Sequence, residues 1–222
     1  EALLLDNVIH DNAEWGVFLG GSGSLIGGSV YGHEGRGIWV SGGATALIQG
    51  VDVHDNETGI QVAGEAVTVR GATVHDNRRF GIYATDGARV EGSTVYGHAA
   101  DRATGIYLLG GVAVENVVSA NYDGIQIYEG TAQRNRVHDN RNIGIAALGA
   151  DALVAGNRVY ANRVGIAGEA YYAQIELVQN LVYGNADAGL LLEGGDYRLV
   201  NNTIYQSVGE AVILRDGSVG SL

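Results

Sequence analysis

The chain of 222 residues has no cysteine, proline, methionine or lysine. The absence of cysteine rules out a disulfide framework and leaves the redox compartment open. Cationic charge is scarce as well: 13 arginines stand against 25 acidic residues, for a net charge of −12. Such a balance argues against a duplex-binding surface, which needs a basic face to neutralise phosphate, so nucleic acid is not an expected partner. Long apolar runs are missing too. Stretches such as 2–5 and 189–192 fall far short of the ~20 residues of a spanning helix, and membrane insertion is not expected. No charged-then-apolar leader opens the chain at Glu1, so any targeting signal is expected to have been removed or to lie outside it. No Ser-His-Asp signature or phosphate loop is recognisable.

Glycine, by contrast, is abundant: 36 residues in a chain that is 46% hydrophobic, long enough for one domain with a continuous core. The glycines are periodic. "VHDNETGIQV" at 53–62, "TVHDNRRFGIYA" at 73–84 and "VHDNRNIGIA" at 137–146 repeat one sentence. Its glycine recurs at Gly16, Gly37, Gly59, Gly81, Gly105, Gly124, Gly144, Gly165 and Gly189, with Ala211 in the same slot, at spacings of 19 to 24 residues. Upstream of each stands Val or Ile, then His or Tyr, then a small or acidic residue, then most often Asn or His. A fixed period of this size signifies a repeat architecture.

Within each repeat the apolar residues alternate in short runs bounded by Gly, Asn or Asp. That is strand punctuation, and no i, i+3, i+4, i+7 stripe persists over three turns. A repeat of about 22 residues with three short strands cannot bury its apolar face alone, so copies must stack into an all-β solenoid of about ten coils. The underlying consensus is N-x-V/I-x-x-N-x-x-G-I, seen at 157–166 ("NRVYANRVGI") and, with one more residue before the glycine, at 135–145 ("NRVHDNRNIGI"). This pattern resembles the right-handed parallel β-helix of the pectin-lyase-like superfamily, with coils similar to those of mannuronate 5-epimerases, over the whole chain. The resemblance implies one β-helix domain over 1–222, in a secreted, cell-surface or periplasmic protein. It does not choose a function, because this coil hosts lyases, epimerases, hydrolases and inert stalks.

Stacking turns sequence columns into ladders about 4.8 Å per step. The Val/Ile column (Val8, Val30, Val53, Val74, Val95, Val118, Val137, Val159, Val182, Ile204) is expected to point inward, as is the apolar residue after each glycine. The Asn column (Asn12, Asn56, Asn77, Asn121, Asn140, Asn162, Asn185) is expected to mark a tight turn where amides bond their stacked copies. His33 and His98 interrupt that column and are expected to loosen the turn.

Strand alternation sends the His/Tyr column outward: His10, Tyr31, His54, His75, Tyr96, His138, Tyr160, Tyr183 and Tyr205. On the next strand the residue after Gly-Ile also faces out, giving Phe18, Trp39, Gln61, Tyr83, Tyr107 and Gln126, so aromatics crowd the N-terminal coils. Between the stripes the turn carries Arg36, Arg78, Arg79, Arg102, Arg141 and Arg163. A solvated turn would carry charge in any case. Yet a basic edge flanked by rings on an acidic protein suits an acidic sugar, with guanidinium forks for carboxylates and flat rings for pyranose faces. The expected carbohydrate-binding residues are Trp39, Tyr83, Tyr107, Arg36, Arg78, Arg79 and Arg102.

Catalysis on uronates requires a cation for the carboxylate, a base and an acid. His54, His75, Tyr96 and Arg79 supply those residue types in adjacent coils. The D-P-H type motif of the mannuronate epimerases cannot occur without proline, the lysine base of lyases is missing, and the hydrolase motifs N-T-D and G-H-G are absent. No catalytic set is therefore assigned. The coils are nearly uniform, with insertions only at 99–104 ("AADRAT") and 169–174 ("EAYYAQ"), neither long enough to wall a deep cleft. No metal site or cofactor is read from the sequence. "GGSGSLIGG" at 20–28 lacks the aspartate of a calcium-binding nonapeptide; calcium bridging acidic rungs such as Asp55 and Asp76 stays an open alternative that ligand spacing does not support. The leading expectation is a non-catalytic or auxiliary polysaccharide-binding module, with a uronate epimerase or lyase and a structural stalk or adhesin repeat as alternatives. Capless ends suggest a segment of a longer chain or end-to-end stacking.

Overall fold

A computed structural model describes residues 2–149, 151–169, 174–215 and 219–221. Most of the expected insertion at 169–174 lies outside the described residues. The described chain is about 61% strand and contains no helix. It winds as a right-handed solenoid of about ten turns in which every strand pairing is parallel. No helix among the described residues is long and apolar enough to cross a membrane.

Each coil contributes three strands. Ten short strands that carry the Val/Ile column, from Val8–His10 to Thr203–Tyr205, form one ladder. The strands that carry the recurrent glycine, such as Arg36–Val40, Thr58–Ala63 and Phe80–Thr85, form a second. Third strands such as Ala46–Gln49, Val67–Arg70 and Arg89–Glu91 complete the coil. In coils five and six the second and third strands merge into Thr104–Val114 and Asp123–Gln133, with register shifts near Leu108.

The core is filled by the inward positions of all three strands, one on each short Val/Ile strand and two or more on the glycine-bearing strands. Val53, Val74 and Val95, then Ile60, Ile82 and Ile106, then Ile48, Val69 and Val90 are fully buried. β-branched residues suit this pleated stack, where each side chain packs on its own copies above and below. The recurrent glycine has a steric cause. A Cβ at Gly81 would stand 2.5 Å from the carbonyl oxygen of Gly105 and 2.8 Å from Val95. No side chain fits between coils there.

The Val/Ile column lies inward as expected except at its first member. Val8 faces Ser29 and is exposed, while Ile9 faces Val30 and is packed against the core. "VIH" offers two adjacent β-branched residues, and only pairing with the next coil decides between them.

From Asn56 onward the Asn column is a buried ladder, whereas Asn12 in the first coil is exposed. Asn56 donates from its backbone and its amide to Asn77 Oδ1, both at 3.0 Å, and Asn121, Asn140, Asn162 and Asn185 continue the pattern. His33 and His98 do not loosen the turn; they are rungs of the ladder. The His33 backbone donates to Asn56 Oδ1, His98 Nε2 lies 3.2 Å from the Asn77 amide, and His98 Nδ1 lies 2.8 Å from Asn121 Oδ1. An imidazole offers one donor and one acceptor on opposite edges and so can replace the amide. The preceding residue takes a left-handed conformation, as at Asp55 (φ 54°) and Asp76 (φ 52°), which explains why Gly and Asp dominate that position. A second ladder, unread from the sequence, runs through Asn116, Asn135, Asn157, Asn180 and Asn202. Its signal was the first Asn of the consensus.

Candidate functional site

Parallel register places Phe18, Trp39, Gln61, Tyr83, Tyr107 and Gln126 in one row on the glycine-bearing sheet. Trp39, Tyr83 and Tyr107 therefore face the same way. Gln61 divides the row into two aromatic groups. Trp39 contacts Trp15 and Phe18, with ring centroids 4.6 and 4.7 Å away. Tyr107 contacts Tyr83 at 5.0 Å, Phe80 at 5.1 Å and Tyr128 at 5.3 Å. Trp15, Phe80 and Tyr128 were not anticipated. Trp15 and Phe80 share the slot just before the glycine, and Tyr128 is the next outward position after Gln126, so alternation carried the signal.

The arginines take distinct places. Arg36 opens the strand Arg36–Val40 rather than lying in the turn, because its backbone already pairs with Thr58. Its guanidinium donates to Gln61 Oε1 and lies 4.7 Å from the Trp39 ring. Arg78 donates to the Glu34 carbonyl at 3.0 Å, and Arg79 lies 4.8 Å over Phe80. Arg102 sits in the 99–104 insertion with a φ of 66°. Among the described residues none of these four forms an ion pair with a carboxylate. The two other turn arginines do: Arg141 with Asp101 at 3.4 Å and Arg163 with Asp187 at 2.8 Å.

Two open hollows lie along this face. The first, of about 330 Å³, is lined by Arg36, Glu57, Arg79, Phe80, Tyr83 and Tyr107 among others. The second, of about 480 Å³, is lined by Arg78, Arg79, Asp101, Arg102, Tyr107 and Asp123. Arg79, Phe80 and Tyr107 are common to both and join them into a continuous surface. Trp39 lines neither. Burial, reinforced by the neighbouring Tyr128 and Tyr83, pushes the Tyr107 hydroxyl up to about 12, so it stays protonated at neutral pH.

The histidine stripe belongs to the other sheet. His10, Tyr31, His54, His75 and Tyr96 stack in adjacent coils with centroids 4.8 to 5.0 Å apart and planes within 12° of parallel. Ser119 interrupts the stack before His138, Tyr160 and Tyr183 resume it. Each exposed-side imidazole binds the next residue: His54 Nδ1 lies 2.8 Å from Asp55 and His75 Nδ1 2.7 Å from Asp76. His54, His75 and Tyr96 thus lie on adjacent rungs, but they line neither hollow and are not brought to Arg79. The Asn turn separates the two strands.

No curated protein matches this sequence. Among solved structures, a periplasmic alginate epimerase, AlgG, is similar over 91% of this chain and 61% of its own, with 17% identity and a TM-score of 0.55. Pectate lyase Pel9A matches over 98% of this chain and 70% of its own, with 12% identity and a TM-score of 0.59. The A-module of the Azotobacter vinelandii mannuronan C-5 epimerase AlgE4 matches over 100% and 91%, with 15% identity and a TM-score of 0.55. The chain spans about six tenths of the AlgG structure's length, and at these identities the likeness is one of fold. The model of the right-handed β-helix region matches residues 1–118 and 104–222, and the chain belongs to that family.

Proposed function

We propose that this chain is a non-catalytic module, secreted or periplasmic, that holds an acidic polysaccharide along the joined hollows of the glycine-bearing sheet. The observation that carries this reading is the contrast among the turn arginines. Among the described residues Arg36, Arg78, Arg79 and Arg102 form no ion pair, though Glu57, Asp101 and Asp123 share the hollows, whereas Arg141 and Arg163 each pair with a carboxylate. Guanidinium groups left without a carboxylate and set beside Phe80, Tyr83 and Tyr107 suit a uronate chain, carboxylates on the forks and ring faces on the aromatics. His54, His75 and Tyr96, the bases the sequence offered, line neither hollow, which supports binding over proton abstraction by them. The structural relatives named as acting on alginate, pectate and mannuronan support the substrate class by analogy of fold.

The test is calorimetric titration with oligomers of mannuronate, guluronate and galacturonate. Arg79→Ala should weaken binding roughly 5- to 150-fold, the equivalent of about 1–3 kcal/mol for a charge-assisted hydrogen bond. Arg163→Ala should change it less than about twofold, since that guanidinium is already held by Asp187 and Asn142. Equal losses at both positions, or no binding to any acidic oligomer, refutes the local site. New unsaturation or inversion at carbon five in the treated polymer refutes the non-catalytic assignment.

A further inference from the structure

Asp52, His54 and His75 come together on the sheet opposite the Asn turn from the hollows. Asp52 and His54 are two residues apart on the strand Asp52–His54 and share its outward side, and His75 stands beside His54 one coil on. Nδ1 of His54 points to Asp55 and Nδ1 of His75 to Asp76. A carboxylate only accepts, so each Nδ1 carries its hydrogen, and in the neutral ring Nε2 then presents a lone pair. This is how outer carboxylates hold imidazoles for metal ligation, fixing both tautomer and ring orientation.

The third group makes the arrangement unusual. Asp52 Oδ1 is shielded from solvent, makes no hydrogen bond, and faces His75 Nε2 at 3.3 Å. The pair is held together by a proton on His75 Nε2 or by a cation bound to both atoms. The donor atoms of the three residues lie within 4.8 Å of one another. A tetrahedral shell with bonds of about 2.0–2.1 Å has edges of about 3.4 Å, so the His54 and His75 rings must turn out of their near-parallel stack to aim both lone pairs at one ion. We propose that Asp52, His54 Nε2 and His75 Nε2 form a three-ligand site for a divalent cation of the zinc–copper class, with a fourth position open to water. Imidazole nitrogen with one carboxylate oxygen favours those ions over calcium or magnesium, which take oxygen shells. The fold offers an internal control. His138 has the same bond to its following residue, Asp139, yet its neighbours in the stripe are Ser119 and Tyr160, and Arg136 fills the slot of Asp52.

Chelator-stripped protein at pH 7.5 in a non-coordinating buffer, titrated calorimetrically with zinc chloride, should take up one ion per chain and melt at a higher temperature when loaded. His54→Gln, His75→Gln and Asp52→Asn should each weaken binding by about tenfold or more, while His138→Gln leaves it unchanged. Asp52→Asn keeps the ring stack intact, so a loss there reports ligation and not folding. No saturable one-to-one binding would assign the Asp52 contact to a proton on His75 and overturn the metal site. Binding that survives in Asp52→Asn and both histidine variants, or that falls equally in His138→Gln, overturns it as well.

Discussion

Replacing His98 with asparagine should change how the protein responds to acid while leaving it nearly untouched at neutral pH. His98 is fully buried, and its two ring nitrogens are committed: Nδ1 to Asn121 Oδ1 and Nε2 to the amide of Asn77. Asn121 Oδ1 accepts and the Asn77 amide donates, so the fit calls for the neutral ring with its hydrogen on Nδ1. A second proton on Nε2 would oppose the Asn77 donor in a site without solvent. Burial accordingly pushes the imidazole down to about 4 from 6.5. The unfolded chain therefore takes up the proton first as pH falls. Stability is intact above about 6.5, declines between about 6.5 and 4, and levels off below. A displacement of about 2.5 units at 1.36 kcal/mol per unit corresponds to about 3 kcal/mol. Asparagine, the usual occupant of the column, has no proton to gain. At pH 7.5 the two proteins should agree within about 1 kcal/mol, and at pH 4 the variant should be more stable by up to about 3 kcal/mol. Urea unfolding followed by circular dichroism across this range measures the difference between them, which removes the acid response they share. Parallel loss of stability in both proteins would refute the account.

Two further predictions address the scaffold. Asn77→Leu leaves the backbone N–H of Asn56 and the side chain of His98 without their partner, and should cost about 1–3 kcal/mol, read as a lower thermal midpoint; an unchanged midpoint would remove Asn77 from the ladder. Gly81→Ala forces a methyl against the Gly105 carbonyl and His98, and should destabilise by about 1–3 kcal/mol, whereas Gly42→Ala, where no atom lies within 4 Å of the added carbon, should be close to neutral.

The solenoid was legible because a repeat writes the same physical problem ten times. Gly81 and its copies recur where backbones approach too closely for a Cβ, Val74 and its copies where the core needs a β-branched filler, and Asn77 and its copies where a buried turn needs an amide. The outward row of Trp39, Tyr83 and Tyr107 followed from alternation alone. Departures from consensus were harder. His98 read as an interruption because one sequence cannot show that an imidazole presents a donor and an acceptor at the spacing of the amide it replaces. Val8 and Ile9 could not be told apart, since strand identity permits either and only the partner coil selects one.

The sequence by itself determined the coil, its period, its strand count and the direction in which most side chains face, since these are local and each repeat restates them. The tertiary structure alone decided which side chains meet. Arg36 and Arg79 are 43 positions apart by their numbers yet border one hollow, and Arg141 finds Asp101 across two coils. Stacking distance, turn conformation and side-chain reach set those encounters, and no column of the repeat records them. The same holds for Asp52 and His75. Their juxtaposition depends on how the strand Asp52–His54 lies against its neighbour Thr73–His75 and on which way Asp76 turns the imidazole, and that is a property of two coils together.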